Sequence, residues 1–174
     1  MKFAIAELAA HHDRSDFDCG EPALNQFLQR LARQQSARDF SKTYVATQPD
    51  SVQILGFYTI SSGAIDFANW PQALRLPRYP VPVARIGRLG VDSRSQGQGI
   101  GSVLLSHAVN LALMLSERIG LYAVVVDAKN EAVAGLYVRH GFERFPDRPL
   151  VLFLTLDRAR QARQLGSAQR GAAH

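Results

Sequence analysis

The chain has 174 residues, of which 47% are hydrophobic and 20% are charged, a balance typical of a globular domain and not of a disordered or membrane-spanning chain. The single cysteine, Cys19, excludes an internal disulfide, and no set of Cys and His residues has the spacing of a zinc site. Glu7 interrupts the short apolar stretch at the start, so no signal peptide is indicated. We therefore expect a cytoplasmic protein with no metal and no membrane contact.

The basic residues are almost all arginine. The formal net charge is +5, and only three of the 20 basic residues are lysine. Arginine binds phosphates bidentately, so the surplus fits an RNA or nucleotide partner. A genome rich in G and C also encodes arginine wherever a cation suffices, and the composition supports both explanations equally.

The first half of the chain predicts a strand, a helix and a hairpin. Residues 2–8, KFAIAEL, are typical of a strand, and residues 21–35 place apolar side chains at helical spacing with Pro22 suited to the first turn. Residues 42–47 and 51–67 are rich in β-branched and aromatic residues. Because QPDS between them has turn composition, we expect an antiparallel hairpin.

A long connection and a helix follow. Residues 68–84 contain four of the eight prolines, which indicates an irregular loop, and long ordered loops are often functional. A short strand over residues 85–92 leads into a glycine-rich loop. The helix after this loop is expected to bury one apolar face, made by Leu104, Ala108, Leu111 and Leu115.

The last elements are two strands, a helix and a tail. Residues 121–128, LYAVVVDA, form an apolar run typical of a strand buried on both faces. A helix is predicted from Asn130 to a stop at Gly141, and PLVLFLTL predicts the last strand. The basic tail, residues 157–174, contains four arginines, and its composition fits a frayed helix or, more simply, disorder. The expected domain therefore covers residues 1–156.

The glycine-rich loop lies in SRSQGQGIGSVLL. A Walker loop is excluded because no lysine follows the glycines, and the GxGxxG pattern fails because Ser102 stands where the third glycine belongs. The pattern Q/R-x-x-G-x-G/A is met by Gln96, Gly99 and Gly101, and again two residues earlier. Glycines and a helix N-terminus let backbone N–H groups converge on an anion such as pyrophosphate. Taken alone, the motif also fits a plain strand-to-helix turn.

A second motif, NEAVAGLYVRHGF, occupies the last predicted helix. Asn130 and Tyr137 are seven residues apart, close to two helical turns, so their side chains face the same way. Taken singly, Tyr137 fits a core position and Asn130 fits an N-cap. An asparagine, a tyrosine and a closing Gly-Phe one strand after the glycine loop make a joint pattern much rarer than its parts.

With RLGVDSRSQGQGIGSVLL and NEAVAGLYVRHGF, the chain resembles the GNAT family of N-acetyltransferases over most of residues 1–156. The resemblance implies an α/β (α+β) fold, the GNAT fold, with a central mixed twisted sheet of about six to seven strands flanked by about four helices. It also implies acetyl-CoA as the donor, with the pyrophosphate on the backbone of the glycine loop and the thioester along the preceding strand. Asn130 would then hydrogen-bond the pantetheine and Tyr137 would face the sulfur. The cofactor-binding residues implied are Leu89, Gly90, Val91, Gln96, Gly97, Gln98, Gly99, Ile100, Gly101, Ser102 and Asn130.

Acetyl transfer needs a neutral amine, a stabilised oxyanion and a proton for the leaving thiolate. Tyr137 suits the last task because its ordinary pKa of about 10 lies near that of a thiol. A backbone N–H near Val91 would polarise the thioester carbonyl, as the resemblance implies. RIGRLGV carries no acid, and Asp92 beyond it fits a structural role. The absence of an obvious base favours an α-amine, with a pKa of about 7.7 to 8.0, over a lysine.

Two further segments resemble the acetyltransferase toxins of bacterial type II toxin–antitoxin systems: FDCGEPALNQFLQRLARQQSARDFSKTYVA and LPRYPVPVARI. That resemblance implies acetylation of the α-amine of aminoacyl-tRNA, which blocks translation, and it implies a ribbon-helix-helix antitoxin and a homodimer. Asn25, Leu136 and Asn130 depart from the usual residues of these toxins, which leaves the acceptor preference open. Cys19 is interpreted as a small buried residue.

Four arginines would place cations beside the tRNA, although each taken singly fits a solvated position: Arg75, Arg78, Arg85 and Arg88. Two other functions stay open. One is a GNAT enzyme acting on a protein N-terminus or a small amine, and the other is a CoA- or RNA-binding module without turnover. Polycationic acceptors are disfavoured by the basic balance of the chain.

Overall fold

The computed structural model describes residues 2–172, which form seven strands, five α-helices and short turns of 3-10 and π-helix. The strands are β1 (Ala4–Glu7), β2 (Lys42–Thr47), β3 (Gly56–Ile65), β4 (Val81–Val91), β5 (Ala123–Asp127), β6 (Glu143–Phe145) and β7 (Arg148–Thr155). The helices are α1 (Pro22–Gln26), α2 (Ala32–Ala37), α3 (Ile100–Leu115), α4 (Glu131–Arg139) and α5 (Leu156–Gly171). A π-helical turn, Phe27–Leu31, continues α1 into α2.

The strands belong to one sheet in the order β1-β2-β3-β4-β5-β7-β6. The predicted hairpin is confirmed: β2 and β3 are antiparallel, with Tyr44 opposite Tyr58 and their rings stacked at 5.3 Å. Strands β1 and β2, β5 and β7, and β6 and β7 also pair antiparallel. A mixture of helices and a seven-stranded sheet agrees with the α+β class expected from the sequence.

The chain divides into two compact units. The first unit comprises Met1–Ser61 and Ile86–Ala108, and the second comprises Ser62–Arg85 and Val109–His174. A core cluster in the first unit contains Phe17, Cys19, Phe27, Leu28, Ala32, Val45, Ile54 and Phe57. A core cluster in the second contains Trp70, Val81, Val83, Ala123, Val125, Phe145 and Phe153. The interpretation of Cys19 as a small buried residue is confirmed by its 7% exposure.

The boundaries of two elements differ from the prediction. Strand β4 begins at Val81, so the expected loop over residues 68–84 is shorter. The prolines were misleading, because Val81 and Val83 are buried on either side of exposed Pro82, the alternation of a strand. In α3, Leu104 and Ala108 are buried as expected, but Leu115 is 38% exposed.

The tail from Asp157 is helical, which corrects the expectation of disorder. The hydroxyl of Thr155 accepts a hydrogen bond from the backbone N–H of Arg158 at 3.3 Å and caps α5. Leu156 and Ala159 are buried and hold the first turn against the fold. Residues 173–174 lie outside the described part of the chain. Within residues 2–172, no helix has the length and apolar character needed to cross a bilayer.

Candidate active site

The carboxylate of Asp92 anchors the segment that leads from β4 into the glycine loop. Its oxygens accept hydrogen bonds from the backbone N–H groups of Asp18 and Arg94 at 3.1 and 3.0 Å, and from the Arg94 guanidinium at 2.9 and 3.0 Å. The side chain of Asp92 is 3% exposed. The side-chain hydrogen bond from Arg94 is the main cause that lowers the pKa of Asp92. A carboxylate bonded in this way is ionised and structural.

The anchor extends to the N-terminal segment. The backbone N–H and the hydroxyl of Ser93 both donate to the carbonyl of Asp18, at 2.8 and 3.0 Å. The Arg94 guanidinium also donates to the carbonyl of Asp16 at 3.1 Å. Gly90 packs closely on the same segment, because a Cβ there would lie 3.3 Å from Cys19 Sγ. The segment that leads into the glycine loop is therefore held in place by its contacts with residues 16–19.

The loop itself uses two of its three glycines for their conformational freedom. Gly97 and Gly99 have φ values of +79° and +81°, which other residues rarely adopt. Both are exposed, and a Cβ on either would meet nothing within 4 Å. Gly101 lies inside α3 without a positive φ, and a Cβ there would meet only Val91, at 3.8 Å. The sequence pattern allows glycine or alanine at this last position, because a methyl group there fits without strain or clash.

The loop presents the features of an anion cradle. The carbonyl of Gly99 accepts the backbone N–H of Val103 at 3.1 Å, so Gly99 caps α3. The first N–H groups of a helix have no partner inside it and carry the positive end of its dipole. Gln96 is exposed and donates to the carbonyl of Val91 at 3.2 Å, which ties the loop to the end of β4. Backbone N–H groups in an exposed glycine turn before a helix fit a pyrophosphate.

The remaining predicted cofactor residues lie along the same segment of the first unit. Leu89 and Val91 are half-buried at the end of β4, and Gln98 is exposed in the loop. Ile100 is buried at the start of α3, and Ser102 is half-buried in its first turn. The residues from 89 to 102 thus form one continuous strand, turn and helix start.

In the second unit, Asn130 caps α4. Its side-chain oxygen accepts the backbone N–H of Val133 at 3.0 Å, which is the N-cap role foreseen for it. The helix ends in a Schellman motif, in which the N–H of Phe142 donates to the carbonyl of Tyr137 at 3.1 Å and that of Gly141 to Val138 at 3.0 Å. Gly141 has a φ of +92°, so the predicted stop is confirmed.

The closing Gly-Phe fixes Tyr137 as well as the helix end. The rings of Phe142 and Tyr137 lie 5.8 Å apart. Tyr137 is 4% exposed. Burial, with a smaller contribution from the charge of Asp127, raises the pKa of Tyr137 to about 12. The hydroxyl therefore keeps its proton at neutral pH and acts as a donor, and its pKa lies further above that of a thiol than the sequence predicts.

The four arginines predicted to face RNA have different surroundings. Arg75 and Arg78 are exposed. Arg85 binds Asp127 through several hydrogen bonds of 2.9 to 3.1 Å, and the Arg88 guanidinium lies 3.8 Å from the centre of the Phe27 ring. Arg85 and Arg88 thus have partners within the protein. The Arg85–Asp127 and Asp92–Arg94 pairs were not foreseen, because their partners are distant in sequence or fixed by local turn geometry.

Residues 2–172 contain no group of three or more His, Cys, Asp or Glu residues placed to hold a metal ion. Tyr58 and His107 form a separate polar pair, with Oη and Nδ1 2.7 Å apart. Burial raises the pKa of Tyr58 and lowers that of His107, so both are neutral at pH 7. The described residues thus offer a donor in Tyr137 and a backbone cradle for an anion.

Comparison with known proteins identifies the family. The model of the acetyltransferase (GNAT) domain matches residues 39–144. The chain is 35% identical to the tRNA-acetylating toxin of Mycobacterium tuberculosis over 150 residues, which cover 85% of this chain and 89% of that protein. It is 31% identical to the probable toxin TacT of Sinorhizobium fredii, over 83% of this chain and 86% of that protein.

Solved structures agree. A Tyr-to-Phe mutant of KacT has a TM-score of 0.87 and 30% identity over 93% of this chain and 99% of its own. AtaT complexed with acetyl-methionyl-tRNAfMet has a TM-score of 0.86 and 28% identity, covering 92% and 99%. A mutant AtaT bound to acetyl-CoA and the C-terminus of the antitoxin AtaR has a TM-score of 0.78 and 28% identity, covering 89% and 94%. The chain belongs to the GNAT acetyltransferase family.

Proposed function

We propose that this GNAT acetyltransferase moves the acetyl group of acetyl-CoA to the α-amine of aminoacyl-tRNA and acts as a toxin that blocks translation. The observation that carries the assignment is the likeness to a tRNA-acetylating toxin over 85% of this chain. Likeness to the AtaT complex with acetyl-methionyl-tRNAfMet, over 92% of the chain, supports the same acceptor.

The glycine loop holds the donor. Acetyl-CoA supplies an activated acyl group and a leaving thiolate. Backbone N–H groups from Gln96 to Ser102 receive the pyrophosphate, because the positive φ of Gly97 and Gly99 opens the backbone there. The end of β4, at residues 89–91, lies along the pantetheine and thioester, and a backbone N–H near Val91 polarises the carbonyl. Asn130 contributes its amide nitrogen to the pantetheine, since its oxygen caps α4.

Tyr137 donates to the leaving sulfur. Burial raises the pKa of Tyr137 to about 12, well above the value of about 8.5 for a thiol. Hydrogen-bond donation to the developing thiolate is therefore favoured over early proton transfer. The Schellman motif and the Phe142 ring hold the tyrosine in place during this step.

The acceptor enters as a neutral amine. Asp92 is not free to act as a base, because four hydrogen bonds already occupy its carboxylate. An α-amine with a pKa of about 7.7 to 8.0 is partly neutral near pH 7 and needs little help, whereas a lysine at about 10.4 needs a base. This difference favours an aminoacyl group over a lysine side chain.

The partners follow from the same assignment. An antitoxin of the ribbon-helix-helix type neutralises the enzyme, and two copies form a homodimer. The AtaT structure with the C-terminus of AtaR supports an antitoxin partner. Co-purification with the product of a neighbouring gene tests the first point, and light scattering of the purified protein tests the second.

The RNA-facing role is assigned to Arg75 and Arg78, with Arg85 and Arg88 in support. Arg75 and Arg78 are exposed, whereas Arg85 is held by Asp127 and Arg88 by Phe27. Substitution of Arg75 and Arg78 by Gln should weaken tRNA binding in a salt-dependent way.

The test of the function is transfer of labelled acetyl from acetyl-CoA to charged tRNA, beside deacylated tRNA and a lysine peptide. Label on charged tRNA alone supports the proposal. Label on the peptide, or only on an added free amine, favours the alternative of a protein or small-amine acetyltransferase, and no label on any of these acceptors favours a module without turnover.

A further inference from the structure

Helix α5 ends the chain with a surface that the proposed chemistry does not use. From Arg160 to Ala172 nearly every residue is exposed, and only Leu156 and Ala159 in its first turn are buried. The segment after the first turn therefore contributes little to the core.

The exposed part of α5 is basic on one side. Arg160, Arg163, Ser167 and Arg170 follow one another at offsets of three, four and three residues, which keeps them on one side of a helix. We call these four residues the α5 stripe. Arg160 and Arg170 are ten positions apart, or about 15 Å along the axis. Asp157 is the one acidic residue of α5, which spans Leu156–Gly171.

The stripe borders a groove between α5 and the end of α3. The groove has a volume of about 470 Å³ and is lined by Leu113, Met114, Glu117, Arg160, Arg163, Gln164 and Ser167. The Arg160 guanidinium donates to the hydroxyl of Ser116 at 3.1 Å and lies 3.7 Å from Asp157. The structure therefore fixes the first arginine of the stripe beside the groove.

The chemistry of the stripe favours a polyanion. The three arginines of the stripe are hydrogen-bond donors to phosphate oxygens. A protein partner that docks on a helix ordinarily needs an apolar stripe at heptad-like spacing, but Leu165 is the one large apolar residue between Arg160 and Ala172. Arg158, on another side of the helix, is paired with Glu143. Arg160 is paired with Asp157, so Arg163 and Arg170 supply the main positive charge of the stripe.

We propose that the α5 stripe binds successive phosphates of the tRNA backbone. This inference deepens the proposed function and rests on it. The stripe adds affinity and places the RNA, and it takes no part in the acetyl transfer.

The test compares two double variants that each remove two positive charges. Arg163→Gln with Arg170→Gln alters the stripe, and Arg118→Gln with Arg148→Gln is the control at exposed sites elsewhere in the second unit. Glutamine keeps a good helix propensity. Binding of deacylated tRNA is measured by fluorescence anisotropy at several salt concentrations.

For the stripe variant we expect the slope of log Kd against log salt to fall by about two, and the Kd near 0.1 M salt to rise on the order of 10- to 100-fold. Acetylation of an amino-acid ester, which has no phosphate, should stay unchanged. Equal slopes for wild type, stripe variant and control would overturn the proposal. So would intact tRNA binding with loss of antitoxin inhibition, which would assign the stripe to a protein partner. Failure of the wild type to acetylate charged tRNA would instead refute the proposed function, because binding is measured without turnover.

Discussion

Replacement of Gly99 by alanine separates the role of backbone conformation from that of packing. At Gly99 the φ is +81°, and a Cβ would meet nothing within 4 Å, so strain is the one cost. A left-handed conformation costs an L-residue about 1 to 2 kcal/mol. The matched control is Gly101→Ala, in which the new methyl meets only Val91, at 3.8 Å.

The strain of Gly99→Ala should appear in acetyl-CoA binding. The loop is exposed, so the free variant can relax, and the cost is then met when the donor restores the native turn. One to two kcal/mol corresponds to a Kd for acetyl-CoA raised about 5- to 30-fold. Gly101→Ala should leave the Kd within about twofold of wild type, because alanine fits a helix.

Isothermal titration measures the Kd for acetyl-CoA, and thermal unfolding measures the stability of the free proteins. If the loop keeps its turn in the free protein, the same cost appears as a lower free energy of unfolding instead. Gly99→Ala with wild-type affinity and wild-type stability would refute the reasoning. An equal loss of affinity in Gly101→Ala would also refute it, because that position has no strain to explain the loss.

Three further substitutions test the site. Tyr137→Phe should lower the rate of acetyl transfer about 10²- to 10⁴-fold with unchanged acetyl-CoA affinity and melting temperature, and a wild-type rate would remove the tyrosine from the mechanism. Gly141→Ala, at a φ of +92°, should lower the free energy of unfolding by about 1 to 2 kcal/mol and slow acetyl transfer by displacing Tyr137. Circular dichroism melts measure the stability and initial rates measure the transfer. Wild-type stability and rate would contradict the role of the Schellman motif. Asp92→Asn should lower the free energy of unfolding by about 2 kcal/mol at pH 7. Because the hydrogen bond from Arg94 lowers the folded-state pKa of Asp92 below 3.8, the stabilisation is full above that value and is lost as the pH falls through the folded-state pKa. Denaturation of both proteins between pH 7 and pH 2 should therefore show their difference shrinking in acid, and a constant difference would contradict the ionised anchor.

Local sequence patterns predicted those parts of the fold that turns and helix ends determine. The β2–β3 hairpin follows from two β-rich runs around a turn, and the stop of α4 follows from Gly141. The tail was the main error, because its composition lacks an apolar face. Two buried residues, Leu156 and Ala159, and a cap by Thr155 were enough to start α5, and only tertiary packing reveals that burial.

In the candidate site, too, the features set by local sequence could be predicted, and those set by tertiary contacts could not. The need for glycine at Gly97 and Gly99 could be predicted, since a turn of alternating glycines before a helix requires positive φ. The anchoring of Asp92 by Asp18 joins residues 74 positions apart and has no signature in sequence spacing. The raised pKa of Tyr137 depends on its burial, which periodicity alone does not measure.

The most direct test of the account identifies the acetylated atom. Charged tRNA is treated with the enzyme and labelled acetyl-CoA, the aminoacyl ester is cleaved with mild base, and the released amino acid is analysed by mass spectrometry. The account predicts the N-acetyl amino acid, formed about 10²- to 10⁴-fold more slowly when Tyr137→Phe replaces the wild type. Release of the unmodified amino acid, with no label on it, would contradict the central claim that the α-amine of aminoacyl-tRNA is the acceptor.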